Sequence, residues 1–299
     1  MEFRNIVIAK PARLFIRNHQ LVISQDEDVP IPMEDICTLM IESRQVLVSA
    51  AALEALASAG VTVFLCDEKH LPAAQLFSFH QHSRKKKLLF AQFELPKPLK
   101  KRLWQAVVQA KIRNQAACLR LRGIYGAEEL EELADSVHSG DTGNVEAAAA
   151  SAYFRYLYGN GFSRGLDCLE NSAMNYGYAI IRGSIARNLV MHGLDPAVGI
   201  FHHSEQNAFN LADDILEPYR PLVDLYVSSM DFGDAEELMP AQKRQLFNLT
   251  NYLVLQDNQK LRVMISADRT TASLAASILE QEQKLTLPQL IALEEGRYE

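Results

Sequence analysis

Short apolar segments rich in β-branched residues characterise the first 80 residues of the chain. The segments RNIVIA, RLFIRN, QLVISQ, CTLMIES and VTVFLCD are bounded by turn-forming residues, a pattern typical of short strands. The continuous stretch RLFIRNHQLVIS predicts a hairpin that turns at Asn18 and His19. Residues 49–60 predict one short helix, because Ser49 is a suitable N-cap and Gly60 a suitable C-terminal stop. Closely spaced strands of this kind predict a small sandwich or a rolled sheet.

The pattern changes to a helical period beyond about residue 85. Two prolines in FELPKPLKK indicate a connecting segment, and apolar residues then recur at helical spacing from Leu103 to Leu119. Similar spacing predicts helices over 144–159, 172–193, 208–229, 239–255 and 270–283, with no further strand pattern. We therefore predict an α+β chain. Its parts are a small N-terminal β-sandwich-like domain over 1–80, a linker over 81–100, and a larger all-helical domain over 101–290.

Composition limits the classes of protein to consider. Hydrophobic residues make up 48 % of the 299 residues, which is enough for a sizeable core. No run approaches the roughly 20 apolar residues that a membrane-spanning helix requires, and MEFRNIVIAK lacks the basic-then-apolar order of a signal peptide. The four cysteines are spread singly with no CxxC pair, which argues against a zinc ribbon or a disulfide framework. We expect a cytoplasmic protein with no membrane segment.

Charge is distributed unevenly along the chain. Residues 84–122 hold twelve Lys or Arg and one acid, Glu94, whereas the whole chain has a net charge of -7. This asymmetry predicts a basic face on an acidic body, suited to DNA phosphates. A merely solvated helix face is an equally good interpretation of the charge alone. The residues we single out as candidate DNA contacts are Arg84, Lys85, Lys86 and Lys87.

A polar cluster interrupts the apolar pattern in GIFHHSEQNAFNLADDILEPYRP. The adjacent His202 and His203 are followed by Asp213, Asp214 and Glu217. The acids lie three and four residues apart, hence on one face of a helix, where like charges repel one another. A bound cation would remove that repulsion. Carboxylates with one imidazole suit Mn²⁺ or Mg²⁺, whereas zinc is a poorer fit because no cysteine or HxxxH pair is nearby.

Several of these segments carry a family resemblance. They are NVEAAAASAYF, which contains Glu146, SAMNYGYAIIRG at 172–183, GIFHH, and FNLADDILEPYRPLVD with the helical tail after it. By themselves Glu146 and a lone loop histidine have ordinary structural explanations. In these segments and their order, however, the chain resembles the CRISPR-associated integrases of spacer acquisition, the Cas1 family, and within it the proteins of type II systems. The resemblance covers nearly the whole chain.

The resemblance implies a metal site and assigns residues to it. One divalent ion, Mn²⁺ or Mg²⁺, would be held by Glu146, His202 and Glu217, which are also the implied catalytic residues. His202 is preferred over His203 because the family histidine closes a Gly-x-x-His step; His203 is the runner-up. Asp214, one helical turn before Glu217, matches another acid of the family. We expect it to support the site without touching the metal.

The resemblance also implies an activity and partners. The expected activity is that of a metal-dependent DNA endonuclease and integrase of antiviral defence, which inserts short foreign DNA as new spacers into a CRISPR array. The N-terminal domain is expected to form a homodimer that assembles with the small dimeric Cas2 protein. The basic stretch 84–122, with Arg220, is expected to hold DNA. Two alternatives remain, a repair nuclease for branched DNA and a non-catalytic DNA-binding scaffold.

Overall fold

A computed structural model describes residues 4–76, 78 and 85–296 of the chain. These residues divide into two compact units, one within Met1–Ser83 and the other within Arg84–Arg297. Arg84, one of the four candidate DNA contacts, lies outside the described residues.

The first unit is built mainly of strands. Its described elements are β1 (Arg4–Ile8), β2 (Arg13–Arg17), β3 (Gln20–Ser24), β4 (Asp28–Pro32), β5 (Ile36–Ile41), β6 (Leu47–Val48), α1 (Ala50–Ser58), β7 (Thr62–Cys66) and β8 (Pro72–Leu76). One four-stranded sheet has the order β1-β5-β7-β8, with the first three strands parallel and β8 antiparallel to β7. The other has the order β4-β3-β2-β6, with only β2 and β6 parallel.

A single core joins these two sheets. Buried side chains from both sheets and from α1 pack into it, among them Leu14, Leu39 and Leu56. The predicted sandwich-like character of this part of the chain is therefore confirmed.

The predicted hairpin turn and helix ends of the first unit are present in the structure. The β2–β3 hairpin turns at Asn18 and His19, whose φ angles are 51° and 61°. Two consecutive positive φ values give the turn twist that matches paired strands. The Ser49 hydroxyl accepts a hydrogen bond from the Ala52 amide at the start of α1 (3.2 Å), and Gly60 follows the helix with a φ of 71°.

The second unit is mainly helical. Its described elements are α2 (Lys85–Phe93), α3 (Lys97–Leu121), α4 (Ala127–Ser136), α5 (Val145–Tyr158), α6 (Leu169–Met191), α7 (Asn210–Leu216), α8 (Arg220–Val227), α9 (Pro240–Phe247), β9 (Leu253–Gln256), β10 (Gln259–Arg262) and α10 (Val263–Glu280). Helix α6 packs against α7 to α10, while α3 packs against α4, α5 and α8. A Cβ at Gly177 of α6 would lie 2.6 Å from Val223 of α8, so glycine permits this close helix approach.

The predicted linker over 81–100 contains helical structure instead. Helix α2 covers Lys85–Phe93 and buries Leu88 and Gln92, which lie one turn apart on the same face. The prolines that suggested a connection stand at the beginning of α3, with Pro96 as its N-cap and Pro98 in its first turn. Proline is tolerated there because the first helical amides have no intrahelical partner.

The single helix predicted over 208–229 is divided into two. A 3₁₀ turn, Glu217–Tyr219, separates α7 from α8. Pro218 and Pro221 lack the amide hydrogen that an uninterrupted α-helix would use at those positions. Glu217 consequently lies at a break in the helix.

The prediction of a helix over 239–255 is wrong for the C-terminal part of that range. Helix α9 stops at Phe247, and β9 and β10 form an antiparallel hairpin. Its turn residues, Asp257 and Asn258, have φ values of 51° and 61°, the conformation of a two-residue hairpin turn. The apolar run LVL suits a strand as well as a helix, and pairing decides between them.

The described helices include none with the length and apolar character needed to cross a membrane. None of the four cysteines, all of which lie within the described residues, forms a disulfide bond.

Candidate metal centre

Helix α3 presents two buried polar side chains to the turn between α7 and α8. Lys111 and Asn114 lie one turn apart on this helix. The Asn114 amide donates to the carbonyl oxygens of Pro218 (2.7 Å) and Pro288 (3.0 Å). These bonds hold the Glu217–Tyr219 turn against α3 and place Lys111 beside it.

Glu146 lies in the first turn of α5. The Asp141 carboxylate accepts hydrogen bonds from the backbone amides of Val145 (2.9 Å) and Glu146 (3.1 Å). It thereby satisfies two of the amides that a helix leaves unpaired at its N-terminus. The Glu146 side chain is 27 % exposed and forms an ion pair with the Lys111 ammonium. The helix start therefore directs this carboxylate toward α3.

Glu217 is a buried carboxylate between two cations. Its Oε1 accepts a hydrogen bond from Arg220 Nε at 2.9 Å. Its Oε2 forms an ion pair with Lys111 Nζ at 2.5 Å. Burial acts to raise the pKa of Glu217, yet Arg220 and Lys111 lower it to about 2. Burial likewise acts to lower the pKa of Lys111, whereas Glu217 and Glu146 raise it overall.

His202 is held in a loop whose shape depends on Asp214. The fully buried Asp214 carboxylate accepts from the backbone amides of Ile200 (2.6 Å), Phe201 (3.1 Å) and His202 (3.1 Å). Its Oδ1 also lies 2.8 Å from His202 Nδ1. This hydrogen bond raises the pKa of His202, although burial opposes it. Because Nδ1 is engaged, Nε2 is the nitrogen that remains for a metal.

Gly199 allows the same loop to close tightly. A Cβ at this position would lie 2.1 Å from the carbonyl oxygen of His202 and 3.0 Å from Asp214 Oδ2. No side chain fits at the first of these distances, so the loop backbone would have to move.

We expect Gly199→Ala to reduce the DNA-joining activity that the family resemblance implies by about 100-fold, the cost typical of a misplacement of about 1 Å near a reacting centre. The physical reason is that the moved loop carries His202. Initial rates on labelled DNA measure the effect. Gly161→Ala is the matched control, because a Cβ there would meet nothing within 4 Å, and it should remain near wild type. Equal rates for both variants would contradict the prediction.

Helices α2 and α3 support the His202 loop from outside. Trp104 of α3 stacks on Phe201, with ring centroids 4.2 Å apart and planes 1° from parallel. The Gln92 amide of α2 donates to the carbonyl oxygens of Asp195 (2.9 Å) and Val198 (2.8 Å). The loop is thereby fixed on both sides of Gly199.

The other candidates in this segment have different partners. His203 is exposed, and its Nδ1 lies 2.9 Å from the Phe201 carbonyl oxygen. Asp213 accepts a hydrogen bond from the Asn207 amide (2.7 Å) and lies 3.6 Å from an Arg182 nitrogen. His202, with its buried carboxylate partner, is therefore the better supported candidate of the two histidines.

The structure brings Glu146 and Glu217 together through Lys111 and places the charge of His202 close enough to affect the pKa of Glu217. Among the described residues, however, no three His, Cys, Asp or Glu side chains converge closely enough to hold a metal ion. The donor types fit Mn²⁺ or Mg²⁺, since two carboxylates and one imidazole are hard or borderline ligands.

The basic stretch does not form one uniform face. Lys111 belongs to the carboxylate cluster, and on α3 Arg113 pairs with Asp135 (2.9 Å) and Arg120 with Glu131, both acids of α4. Arg220, expected at DNA, is instead bonded to Glu217. Lys85, Lys86 and Lys87 are exposed on α2. The sequence interpretation missed Lys111, Asn114 and Gln92 as site residues, because only their cross-chain contacts distinguish them from other helix residues.

Another buried carboxylate, that of Asp224, lies behind the site. Its oxygens accept hydrogen bonds from the hydroxyls of Tyr178 and Tyr153, and the Arg220 guanidinium lies 4.5 Å from the centroid of the Tyr178 ring. Burial raises the pKa of Asp224 to about 6, even though the tyrosine and arginine contacts act to lower it.

The pKa of Asp224 predicts a pH-dependent stability. The folded protein binds this proton more tightly than the unfolded chain, so the contribution of Asp224 to stability falls as pH rises from about 4 to about 6. The loss is about 3 kcal/mol. Asparagine does not titrate, so Asp224→Asn should remove this pH dependence. The stability of the variant relative to wild type should therefore increase as pH rises over that range. Urea unfolding at several pH values measures this difference, and a pH-independent difference would refute the assignment.

Comparisons with known proteins give consistent matches. Residues 6–160 and 164–231 match the family model described as CRISPR associated protein Cas1. The chain is 40 % identical over 304 residues to the CRISPR-associated endonuclease Cas1 of Neisseria meningitidis serogroup C (strain 8013), with all of both chains covered.

Solved structures share the fold. A structure titled "Casposase bound to integration product" superposes with a TM-score of 0.76 at 19 % identity, covering 95 % of this chain and 92 % of that one. One titled "Cas6-RT-Cas1--Cas2 complex" gives a TM-score of 0.72 at 16 % identity, covering 97 % of this chain and 36 % of that one.

Proposed function

The chain belongs to the CRISPR-associated Cas1 family, and we propose that it is a divalent-metal-dependent DNA endonuclease and integrase of spacer acquisition. In the proposed reaction, the 3′-hydroxyl of a short DNA fragment attacks a phosphodiester at the edge of a CRISPR repeat. A new phosphodiester forms, and the repeat strand leaves with a free 3′-hydroxyl. The endonuclease name of the 40 % identical relative supports the nuclease part of this proposal.

The observation that carries the proposal is the buried, ionised Glu217 beside Glu146, with His202 held by Asp214. Both carboxylates already face one cation, the Lys111 ammonium, and carboxylate oxygens with an imidazole are donors that Mn²⁺ or Mg²⁺ accepts. A bound Mn²⁺ or Mg²⁺ would supply Lewis-acid stabilisation of the negative charge that develops at the attacked phosphate. Glu146, His202 through Nε2, and Glu217 would hold it.

The protein's own residues keep these ligands ready. Arg220 and Lys111 keep Glu217 ionised at neutral pH, because they hold its pKa at about 2. Asp214 fixes the His202 ring from its Nδ1 side, which orients the opposite nitrogen. Gln92 and Trp104 fix the loop that carries His202. The backbone that carries the proposed ligands would therefore need little rearrangement to bind a divalent ion.

A strand-transfer assay tests the proposed function. The purified protein, with a Cas2-type partner, receives a labelled short duplex, Mn²⁺ or Mg²⁺, and a plasmid that carries a repeat array. Label joined at the repeat edges is the expected product. Cleavage of branched DNA without joining would support the repair nuclease instead, and DNA binding without either reaction would support the scaffold.

We further propose that α2 contributes a DNA-binding surface. Lys85, Lys86 and Lys87 are exposed on it, and the Lys86 ammonium lies 6.0 Å from the centroid of the Phe90 ring. Gln92 of the same helix is bonded to the segment just before the His202 loop. DNA bound along α2 would therefore lie near the candidate metal centre.

Neutralising Arg84, Lys85, Lys86 and Lys87 should weaken DNA binding without changing its sequence preference, because phosphate contacts position DNA but do not read bases. The slope of log affinity against log salt should decrease by about 0.9 for each lost contact with duplex DNA. Fluorescence anisotropy at several salt concentrations measures the slope. Neutralising Arg113 and Arg120, which already pair with acids of α4, is the control and should change it less. An unchanged slope in the quadruple variant would assign these residues to a solvated surface.

Membership of the Cas1 family is the basis for a proposal about the assembly of this protein. We propose a homodimer formed through the N-terminal β-rich unit, which assembles with a Cas2 dimer as part of a type II system. A structural relative is titled as a Cas1–Cas2 complex, which supports Cas2 as the partner class.

A further inference from the structure

Lys111 is a buried lysine whose ammonium lies between two of the three proposed metal ligands. Its side chain is 9 % exposed, and Nζ forms ion pairs with Glu146 Oε1 and, at 2.5 Å, with Glu217 Oε2. Helix α3 and the Asn114 bonds to the neighbouring turn fix the base of this side chain. The ammonium is therefore a built-in counterion of the carboxylate pair.

A metal ion and this ammonium compete for the same oxygens. Mn²⁺ or Mg²⁺ binds carboxylate oxygens at about 2.1 Å, and a divalent ion repels a nearby ammonium. With Lys111 at its present position, no three ligand side chains in the described part of the chain converge on one point. Metal binding requires the ammonium to move aside.

The charges at the site indicate which kind of group would pair with the Lys111 ammonium after a metal ion displaces it. Glu146 and Glu217 carry two negative charges, and Lys111 and Arg220 balance them. A divalent ion adds two positive charges, so an anion is then favoured at the site. A DNA phosphodiester is the anion that the proposed reaction supplies, and a lysine on its flexible stem can follow it over a few ångströms.

We propose that Lys111 competes with the divalent ion for Glu146 and Glu217, and that bound DNA phosphate relieves this competition. Metal and DNA then bind cooperatively, because each is bound more tightly when the other is present. Without the ion, Lys111 neutralises the buried Glu217 and the partly exposed Glu146, and metal affinity is lowest when no DNA is bound. This inference rests on the metal site of the proposed function and assigns Lys111 as a positioning residue within it.

Metal binding to Lys111→Met tests the proposal without any reaction. Methionine keeps an unbranched side chain, one heavy atom shorter than that of lysine, and removes the charge. Titration calorimetry with Mn²⁺ alone should show an affinity about 10-fold higher than wild type, a factor within the usual range of such coupling. A short duplex ending in a 3′-dideoxynucleotide should raise Mn²⁺ affinity in wild type and raise it less in the variant. Lys284→Met, at an exposed position outside the basic stretch 84–122, is the control and should behave as wild type.

The outcomes separate this proposal from the proposed function. Wild type that binds no Mn²⁺ either with or without the duplex would overturn both. Wild type that binds Mn²⁺ together with a Lys111→Met variant of equal or lower affinity would overturn only the role of Lys111. If that variant does not fold, crystal structures of wild type with and without Mn²⁺ would test the role of Lys111 instead. Lys111 Nζ should leave Glu217 when the ion is bound, and an unmoved ammonium beside a bound ion would refute competition.

Discussion

Glu146→Gln, His202→Ala and Glu217→Gln should each reduce strand joining by about 10³–10⁴-fold, the loss typical when one member of a catalytic constellation is removed. Contacts in the structure give the physical reason for this expectation. Glu146 and Glu217 share the Lys111 ammonium from two different elements, and Asp214 orients His202. Because the three proposed ligands would act as a unit, a double variant should be little worse than a single one. The assay is joining of a labelled fragment to repeat DNA.

Controls for this series lie close by in the chain. His203→Ala and Glu205→Gln change exposed residues of the same loop and should retain most of the activity. Circular dichroism and thermal melts must show that the inactive variants are folded. If His202→Ala joined DNA normally and His203→Ala did not, the ligand assignment would pass to His203.

Asp214→Ala should lower the free energy of unfolding by about 3–5 kcal/mol, the cost of removing one partner from a buried charged contact. The carboxylate is fully buried and accepts three backbone amides as well as the His202 ring. Its removal would leave those amides without acceptors in a buried place. The same variant should lose metal binding, because His202 loses its orientation. Urea denaturation gives the first quantity and Mn²⁺ titration the second.

Asp214→Asn and Asp213→Asn sharpen that test. The first keeps an acceptor oxygen and should cost less, about 1–3 kcal/mol. The second changes the neighbouring acid, which makes one hydrogen bond with Asn207 and a looser contact with Arg182, and should cost less still. A cost for Asp213→Asn equal to that of Asp214→Ala would show that the loop does not depend on Asp214.

Features that depend on a few neighbouring residues could be predicted from the sequence alone. The hairpin at Asn18 and His19, the capped helix after Ser49, and the order of a β-rich part followed by a helical part are of this kind. They depend on turn chemistry, capping and periodicity within about four residues. The three candidate ligands followed instead from a family resemblance, since an isolated glutamate or histidine has ordinary structural explanations.

Features that depend on distant partners were decided only by the tertiary structure. Lys111 lay in a basic stretch and resembled a DNA contact, but its partner Glu146 is 35 residues away, and the ion pair forms because α3 and α5 pack together. Asp214 shared a helix face with other acids, and only the folded loop shows that it accepts the amides around His202. The β9–β10 hairpin was missed for a similar reason, because a short apolar run suits either a helix or a strand until its pairing partner is known. Burial and long-range ion pairing have no local signature, so the same residue types acquire their roles only when the chain is packed.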